Sequence, residues 1–145
     1  MSLCVLDADH LSLFTHEHPQ VVAHVKATAQ SDRAITIITI EEQLRGWFTQ
    51  VRKARDATRL TRAYQGLFQV VDMAKTLPVL PFSSTAIDRY LELRKSLPRL
   101  GKHDLAIASI ALDFEAKVVT RNRQDFGQIP NLEVEDWSTS FPDTE

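Results

Sequence analysis

Four acidic residues stand at positions of the sequence where they could bind a metal ion: Asp7, Glu42, Asp104 and Asp125. The first follows an apolar run at residues 3–6, and the second follows a run rich in β-branched residues at 35–39. The third opens an apolar helical segment, and the fourth lies five residues after Thr120. Carboxylate oxygens are the hard ligands that Mg²⁺ and Mn²⁺ prefer, and clustered carboxylates are unfavourable without a cation. The four acids therefore predict a divalent-metal site.

The identity of the ion follows from the residue types that are present. The five histidines form no HExxH-type pattern, and the single cysteine, Cys4, lies inside an apolar run. Structural and catalytic zinc sites depend on His and Cys ligands at regular spacings. The sequence thus favours Mg²⁺ or Mn²⁺ over zinc.

The wide separation of these acids along the chain indicates how the chain must fold. They can meet only if several strands lie side by side with their carboxyl ends at one cleft, which is where open parallel sheets bind ligands. Apolar strand-like runs alternate with longer helical segments, a pattern typical of a parallel sheet covered on both faces. We predict an α/β fold with a short central, mostly parallel sheet, helices on both faces and a helical hairpin.

The expected elements follow in one order. Strands are predicted at residues 3–6, 34–39, 77–82, 117–120 and 131–137. A helix after Pro19 is expected to end near Ser31 and Asp32, and the hairpin covers residues 41–75. Thr39 is the expected N-cap of the hairpin, with Glu42 three residues on as in a capping box. Ser83 or Ser84 is expected to cap the helix after the third strand.

Length and composition predict a single globular domain. The chain has 145 residues, of which 43% are hydrophobic and 25% are charged, enough for one core. We expect one domain at residues 1–137 and a polar tail at 138–145. A net charge of -2 gives no general basic footprint, although a local patch could still contact phosphates. No apolar run approaches the roughly 20 residues that span a bilayer, and no signal peptide is evident, so we expect a cytoplasmic protein without membrane association.

Four segments resemble, in order and spacing, the motifs of the PIN-domain family, and within it those of the VapC-type toxin ribonucleases of bacterial toxin-antitoxin pairs. The segments are Val5-Leu6-Asp7-Ala8-Asp9 and residues 39–46, 103–108 and 120–126. Glu42 rather than Glu41 matches the family's acid, because that acid lies four residues before a glycine, here Gly46. One departure is at the first motif, where the family commonly has Asp-Thr-Asn. The resemblance covers nearly the whole chain, and the ordered set is specific.

The resemblance implies an endoribonuclease in which water activated on Mg²⁺ or Mn²⁺ hydrolyses RNA, with the four acids as catalytic residues. Asp7 and Asp104 are expected to bind the ion directly, and Glu42 and Asp125 directly or through water. Asp9 either adds a ligand or makes a structural hydrogen bond. Substrate positioning is expected from Thr120 and Asn122 beside the acids, and from Arg94, Arg99, Lys102 and Arg121 at the RNA backbone. The resemblance also implies a small antitoxin partner, whose C-terminal segment fills the cleft, and a homodimer.

Other interpretations of the same residues stay open. The first motif also resembles that of haloacid-dehalogenase-type phosphatases, in which Asp7 would be a nucleophile and Asp9 a general acid. A non-catalytic PIN-like binding module is a second alternative. Simple structural roles are available as well: Asp7 as a helix cap, Glu42 as the acid of a capping box, and Asp125 as a turn residue.

Overall fold

The computed structural model describes residues 3–139. Its five strands are β1 Cys4–Leu6, β2 Arg33–Thr36, β3 Val79–Leu80, β4 Lys117–Val119 and β5 Val134–Glu135. All adjacent pairs are parallel, in the order β3-β2-β1-β4-β5. Residues 1–2 and 140–145, which include most of the predicted polar tail, lie outside the described residues. The predicted α/β class with a parallel central sheet is confirmed.

Seven α-helices accompany these strands within the described range. They are α1 Ala8–Thr15, α2 Pro19–Ala27, α3 Ile37–Lys53, α4 Ala57–Thr76, α5 Ser84–Ser96, α6 Lys102–Asp113 and α7 Arg123–Phe126. The helices α3 and α4 form the predicted hairpin, and Ser83 rather than Ser84 caps α5 through its hydroxyl oxygen. None of the helices in residues 3–139 combines the length and hydrophobicity that crossing a membrane requires.

The central strand divides its side chains between two cores, as the alternation of a pleated strand requires. Val5 packs on one face of the sheet with residues of α5 and α6. Cys4 and Leu6 pack on the other face with residues of α1 and α2, and Trp137 joins this second core. The sheet is therefore covered by helices on both faces, as predicted.

Helix α6 is enclosed on all sides, since residues 105–111 are all buried. A helix that is apolar around its whole circumference belongs in the interior of a protein. Its N-terminus is the part that reaches the surface, and Asp104 lies there in the first turn. The core thus fixes the backbone that carries this acid.

The strands predicted at 77–82 and 131–137 are too long, since β3 and β5 have two residues each. Two further predicted boundaries are wrong. Strand β2 ends at Thr36, whose hydroxyl accepts the Thr39 N–H at 3.3 Å and caps α3, so Thr39 is not the cap. The capping and the burial of Ile38 and Thr39 override the strand preference of the β-branched residues at 37–39. Helix α2 ends at Ala27, because the backbone of Thr28 is extended. The Thr28 hydroxyl donates to the His24 carbonyl in the last turn at 2.9 Å.

Helices α3 and α4 approach closely at one point. A Cβ atom added at Gly66 of α4 would overlap the indole ring of Trp47 on α3. At Gly46 of α3 an added Cβ would meet nothing within 4 Å. The contact between the two helices therefore requires a residue without a side chain at position 66, while position 46 has no such requirement.

Candidate active site

Asp7 lies at the carboxyl end of the central strand and is 8% exposed. Its backbone N–H donates to the Val119 carbonyl at 3.1 Å, which continues the pairing of β1 with β4. Its Oδ1 atom accepts the His10 N–H at 2.8 Å and caps α1. None of the hydrogen bonds found within residues 3–139 uses Oδ2. Asp7 is thus a helix cap through one oxygen and has the other oxygen available.

Glu42 lies in the second turn of α3, and that helix has no acid in its first turn. The interpretation of Glu42 as a capping-box acid is therefore wrong. Its Oε2 atom lies 3.1 Å from Nδ1 of His103, and both side chains are partly exposed. His103 immediately precedes Asp104, so this contact connects α3 with the start of α6.

Asp104 experiences the charges of the other three predicted acids. Burial raises the pKa of Asp104 above that of an ordinary aspartate, and the pKa is raised further by the negative charges of Asp7, Asp125 and Glu42. His103 acts in the opposite direction. Residues that span most of the sequence therefore lie within electrostatic range of one carboxyl group at the carboxyl edge of the sheet.

Asp125 is held in the short helix that follows β4. The Asn122 side chain accepts the Asp125 N–H at 3.4 Å and donates to Asp125 Oδ2 at 3.0 Å. The buried Thr120 hydroxyl in turn accepts the Asn122 N–H at 2.9 Å. Asp125 therefore does have the structural role of a turn residue. Its Oδ2 atom accepts one hydrogen bond from an amide, so other lone pairs of the carboxylate stay available for a ligand.

Asp9 is held by Arg121. The Nε and Nη2 groups of Arg121 donate to the two Asp9 oxygens, each at 2.7 Å. The hydrogen bond from Arg121 is the main cause that lowers the pKa of Asp9. Of the two roles expected for Asp9, the structural hydrogen bond is the one observed, and Arg121 uses two of its donors for it.

The tightest group of potential ligand atoms within residues 3–139 differs from the predicted set. Atoms of Asp7, Asp9 and His10 lie within 4.8 Å of one another, whereas the four predicted acids do not form such a group. His10 is completely buried, and its Nε2 atom accepts the backbone N–H of Trp137 at 3.1 Å. The ring is therefore engaged with the C-terminal segment as well as with Asp7.

Three of the predicted basic residues lie in the part of the chain that leads from α5 to Asp104. Arg94 lies in the last turn of α5 above the ring of Tyr90, at 5.7 Å from the ring centroid. Arg99 lies in the loop that follows, and Lys102 begins α6 two residues before Asp104. All three are exposed, and within the described residues none of them joins an ion pair.

Sequence reasoning missed three features. His10 and His103 are neighbours of the acids in sequence, one turn after Asp7 and directly before Asp104, and this spacing was the available signal. A groove of about 560 Å³ between α3 and α4 was also missed. It is lined by Glu42, Gln43, Gly46, Trp47, Gln50, Arg59, Arg62 and Ala63. Because Glu42 forms part of its wall, the groove opens beside the acidic site.

Comparison with known proteins gives one curated relative. No family model matches the sequence. Ribonuclease VapC2 of Rickettsia felis is 40% identical over 65 residues, which are 42% of this chain and 48% of that protein. The match thus spans about half the length of the curated relative.

Solved structures match over nearly the whole chain. A chain of VapBC2 from Rickettsia felis, solved bound to a DNA fragment from their promoter, has a TM-score of 0.73 and 26% identity, covering 93% of this chain and 98% of its own. DNA-bound VapBC from Salmonella typhimurium has a TM-score of 0.76 and 24% identity, with 94% and 99% covered. VapBC-1 from nontypeable Haemophilus influenzae has a TM-score of 0.76 and 20% identity, with the same coverage. These similarities confirm the resemblance to VapC-type PIN domains that the four motifs indicate.

Proposed function

We propose that this VapC-like chain is a metal-dependent endoribonuclease and acts as the toxin of a toxin-antitoxin pair. The observation that carries the proposal is the convergence of Asp7, Asp125 and Glu42 on Asp104, whose pKa is raised first by burial and then by their negative charges. A fold shared with VapBC structures and a partial match to a protein named as a ribonuclease support it. Acids clustered in this way are unfavourable for stability and are typical of a functional site.

The residues present fit a hard divalent cation. The donors are carboxylate oxygens, and the pKa of Asp104 is raised by burial and then by neighbouring negative charges that a cation would compensate. Asp7, through Oδ2, and Asp104 would hold Mg²⁺ or Mn²⁺, with Glu42 and Asp125 in contact directly or through water. When bound, the ion polarises the scissile phosphate and lowers the pKa of water.

Glu42 is our choice for the group that accepts the proton of the attacking water. It is partly exposed and lines the groove between α3 and α4, where a substrate can reach it. His103 at 3.1 Å orients its Oε2 atom and can take part in transferring the proton onward. Asn122 and Thr120 keep Asp125 oriented through the hydrogen bonds described above.

Arg94, Arg99 and Lys102 are suited to position the RNA backbone. They are exposed cations without ion-pair partners in the described residues, and they lie in the last turn of α5, in the loop that follows and at the start of α6. Contacts to phosphates set the register of a nucleic acid but carry no sequence information. We therefore assign positioning, rather than sequence recognition, to these three residues. Arg121 contributes less to RNA binding in this proposal, because Asp9 already occupies two of its donors.

The partners proposed are an antitoxin and a second copy of this chain. The solved relatives are VapBC assemblies. On α4 this chain exposes a row of large apolar side chains at Leu60, Tyr64, Phe68 and Val71, spaced to lie on one face of the helix. Either partner could cover this row, and both belong to the function proposed.

The alternative functions have less support. A haloacid-dehalogenase-type mechanism needs Asp9 to carry a proton as a general acid, whereas Arg121 lowers the pKa of Asp9 and keeps it ionised. A non-catalytic module would have no need to keep Asp7, Glu42 and Asp125 so close to Asp104 that their charges raise its pKa.

The test is cleavage of a mixed cellular RNA pool by the purified protein with Mg²⁺, Mn²⁺ or EDTA. Asp7→Asn and Asp104→Asn variants, verified as folded by circular dichroism, are assayed beside the wild type. We expect metal-dependent cleavage by the wild type alone. Equal cleavage by all three proteins would identify a contaminating nuclease, and no cleavage by antitoxin-free wild type would overturn the proposal.

A further inference from the structure

We propose that His10 is a positioning residue that holds Asp7 as a one-oxygen metal ligand. The inference rests on the proposed metal site and deepens it. His10 is the third residue of α1 and is 0% exposed. Its ring lies between two carboxylates: Nδ1 is 3.5 Å from Asp7 Oδ1, and Nε2 is 3.4 Å from Asp136 Oδ1.

The hydrogen bond from Trp137 determines which ring nitrogen carries the proton. The Trp137 backbone N–H donates to His10 Nε2 at 3.1 Å, so Nε2 must be the acceptor. In a neutral imidazole the proton is then on Nδ1. Nδ1 is buried and has no hydrogen-bond partner within the described residues, and the Asp7 carboxylate is the acceptor that it faces. Because a buried donor without a partner is unfavourable, a small shift that shortens this contact is favoured.

Both groups that His10 offers are directed at the same oxygen of Asp7. Oδ1 accepts the His10 backbone N–H at 2.8 Å and faces the ring Nδ1–H at 3.5 Å. Oδ1 thus faces His10, and Oδ2, which accepts no hydrogen bond within the described residues, is the more available atom for the ion. In this proposal Asp7 therefore binds the ion through Oδ2, while its Oδ1 is held by the His10 backbone N–H and faces the ring Nδ1.

The same geometry excludes the His10 ring as a ligand, although it lies in the tightest group of potential ligand atoms. A metal needs a ring nitrogen with a free lone pair. The Nε2 lone pair is used by Trp137, and Nδ1 carries the proton. Asp9, the third member of the group, is held by Arg121 through both oxygens. Of these three residues, Asp7 is the one with a carboxylate oxygen, Oδ2, that accepts no hydrogen bond within the described residues.

His10 also connects Asp7 with the segment after β5. Trp137 is buried, its indole N–H donates to Glu135 Oε2 at 3.0 Å, and its ring stacks on His24 at a centroid distance of 5.6 Å. Trp137 is thereby fixed, and its backbone N–H sets the proton position on the His10 ring. The role of His10 toward Asp7 depends on this anchor, which lies 127 positions away in sequence.

Two substitutions separate the roles of the two ring nitrogens. In His10→Asn the side-chain amide can occupy the position of Nδ1, so a donor to Asp7 is kept and the acceptor for Trp137 is lost. In His10→Gln the amide oxygen can occupy the position of Nε2, so the acceptor for Trp137 is kept and the donor to Asp7 is lost. If His10 merely anchors the C-terminal segment, Gln is the milder change. If His10 positions Asp7, Asn is the milder change for metal binding.

The experiment measures Mn²⁺ binding to the wild type and to both variants by isothermal titration calorimetry without RNA. Melting temperatures of the three proteins in EDTA show whether the variants are folded. We expect His10→Gln to bind Mn²⁺ about 10-fold or more weakly, as for other residues that orient metal ligands, and His10→Asn to stay close to wild type. Equal Mn²⁺ affinity of wild type and His10→Gln would overturn the proposal. So would an equal loss in both variants. If His10→Gln does not fold, His10→Asn alone tests the proposal, because a 10-fold loss of Mn²⁺ affinity in this variant would contradict the assigned role.

A second measurement uses the metal-free wild-type protein and no activity. Long-range ¹H–¹⁵N correlation spectra of the His10 ring should show the proton on Nδ1, and a proton on Nε2 would overturn the proposal. The outcomes also separate this inference from the proposed function. Normal Mn²⁺ binding without RNA cleavage contradicts the function and leaves the role of His10 intact. Failure of the wild type to bind Mn²⁺ overturns the ligand role of Asp7 and with it the inference.

Discussion

Arg121 and Asp9 are joined by two hydrogen bonds of 2.7 Å, although 112 positions separate them in sequence. Asp9 lies in the first turn of α1, and Arg121 lies two residues after β4. Together with the pairing of β1 and β4, this contact fixes the chain on both sides of Asp7. The acid at the centre of the site therefore has a rigid backbone before any ligand arrives.

Replacing Arg121 by Gln should raise the pKa of Asp9 toward its ordinary value, because the hydrogen bond that lowers it is lost. A carboxylate with a lowered pKa in the folded protein stabilises the fold above its unfolded pKa, and this stability is lost as the pH falls through the folded pKa. The variant should thus be less stable at neutral pH, by a small amount because solvent screens this exposed pair, and the difference should vanish in acid. Urea unfolding at several pH values and a ¹³C titration of Asp9 test this. A stability difference that does not depend on pH would contradict it.

Replacing Asp104 by Asn should abolish cleavage but stabilise the metal-free protein at neutral pH. Burial and then the neighbouring acids raise the pKa of Asp104, so its charged form is disfavoured in the folded state. A carboxyl group of this kind reduces stability as the pH rises from its unfolded pKa through its folded pKa. The gain should therefore be present near pH 7 and absent below about pH 4, the ordinary range of Asp.

Melting curves in EDTA at the two pH values test the sign of this effect, and cleavage assays should show a loss of at least about 100-fold. Asp88→Asn, on an exposed position of α5, is the matched control and should change neither property. A lower melting temperature of Asp104→Asn at neutral pH would contradict the electrostatic interpretation.

Gly66→Ala should destabilise the protein by about 1–3 kcal/mol, because the new methyl group overlaps the Trp47 ring and forces α3 and α4 apart. Gly46→Ala should leave the stability unchanged or raise it by up to about 1 kcal/mol, since alanine favours a helix and its Cβ meets no atom there. Chemical denaturation of both variants compares them directly. Equal effects of the two substitutions would contradict the close approach at position 66.

Loss of the cations at Arg99 and Lys102 should weaken RNA binding without changing the chemical step. The double variant Arg99→Gln and Lys102→Gln, made in an inactive Asp7→Asn background, allows binding to be measured without cleavage. The slope of log affinity against log salt should fall by about 0.7 for each lost contact with single-stranded RNA. Arg52→Gln, exposed in the last turn of α3, is the control, and an equal effect there would indicate general charge attraction instead.

Much of the fold followed from sequence because strands and acids alternate in a pattern that only a parallel sheet can bring together. The error at residues 37–39 arose because β-branched residues favour strands locally, whereas the cap at Thr36 and the burial of Thr39 depend on the folded environment. The contacts of His10 could not be predicted, since its partner is a backbone N–H of a distant residue and leaves no trace in residue type. The pairing of Asp9 with Arg121 could not be predicted either, because 112 positions separate the two residues and only the fold brings them together.

The central position of β1 has a consequence for the order in which the protein is made. Chains fold as they leave the ribosome, beginning from the N-terminus. Strand β1 can pair with β2 early, but its other neighbour, β4, consists of residues 117–119, and Asp125 follows later still. A nascent chain therefore lacks one side of the site until residues 117–125 have been made, which confines the proposed RNA cleavage to molecules in which this segment has been synthesised and folded.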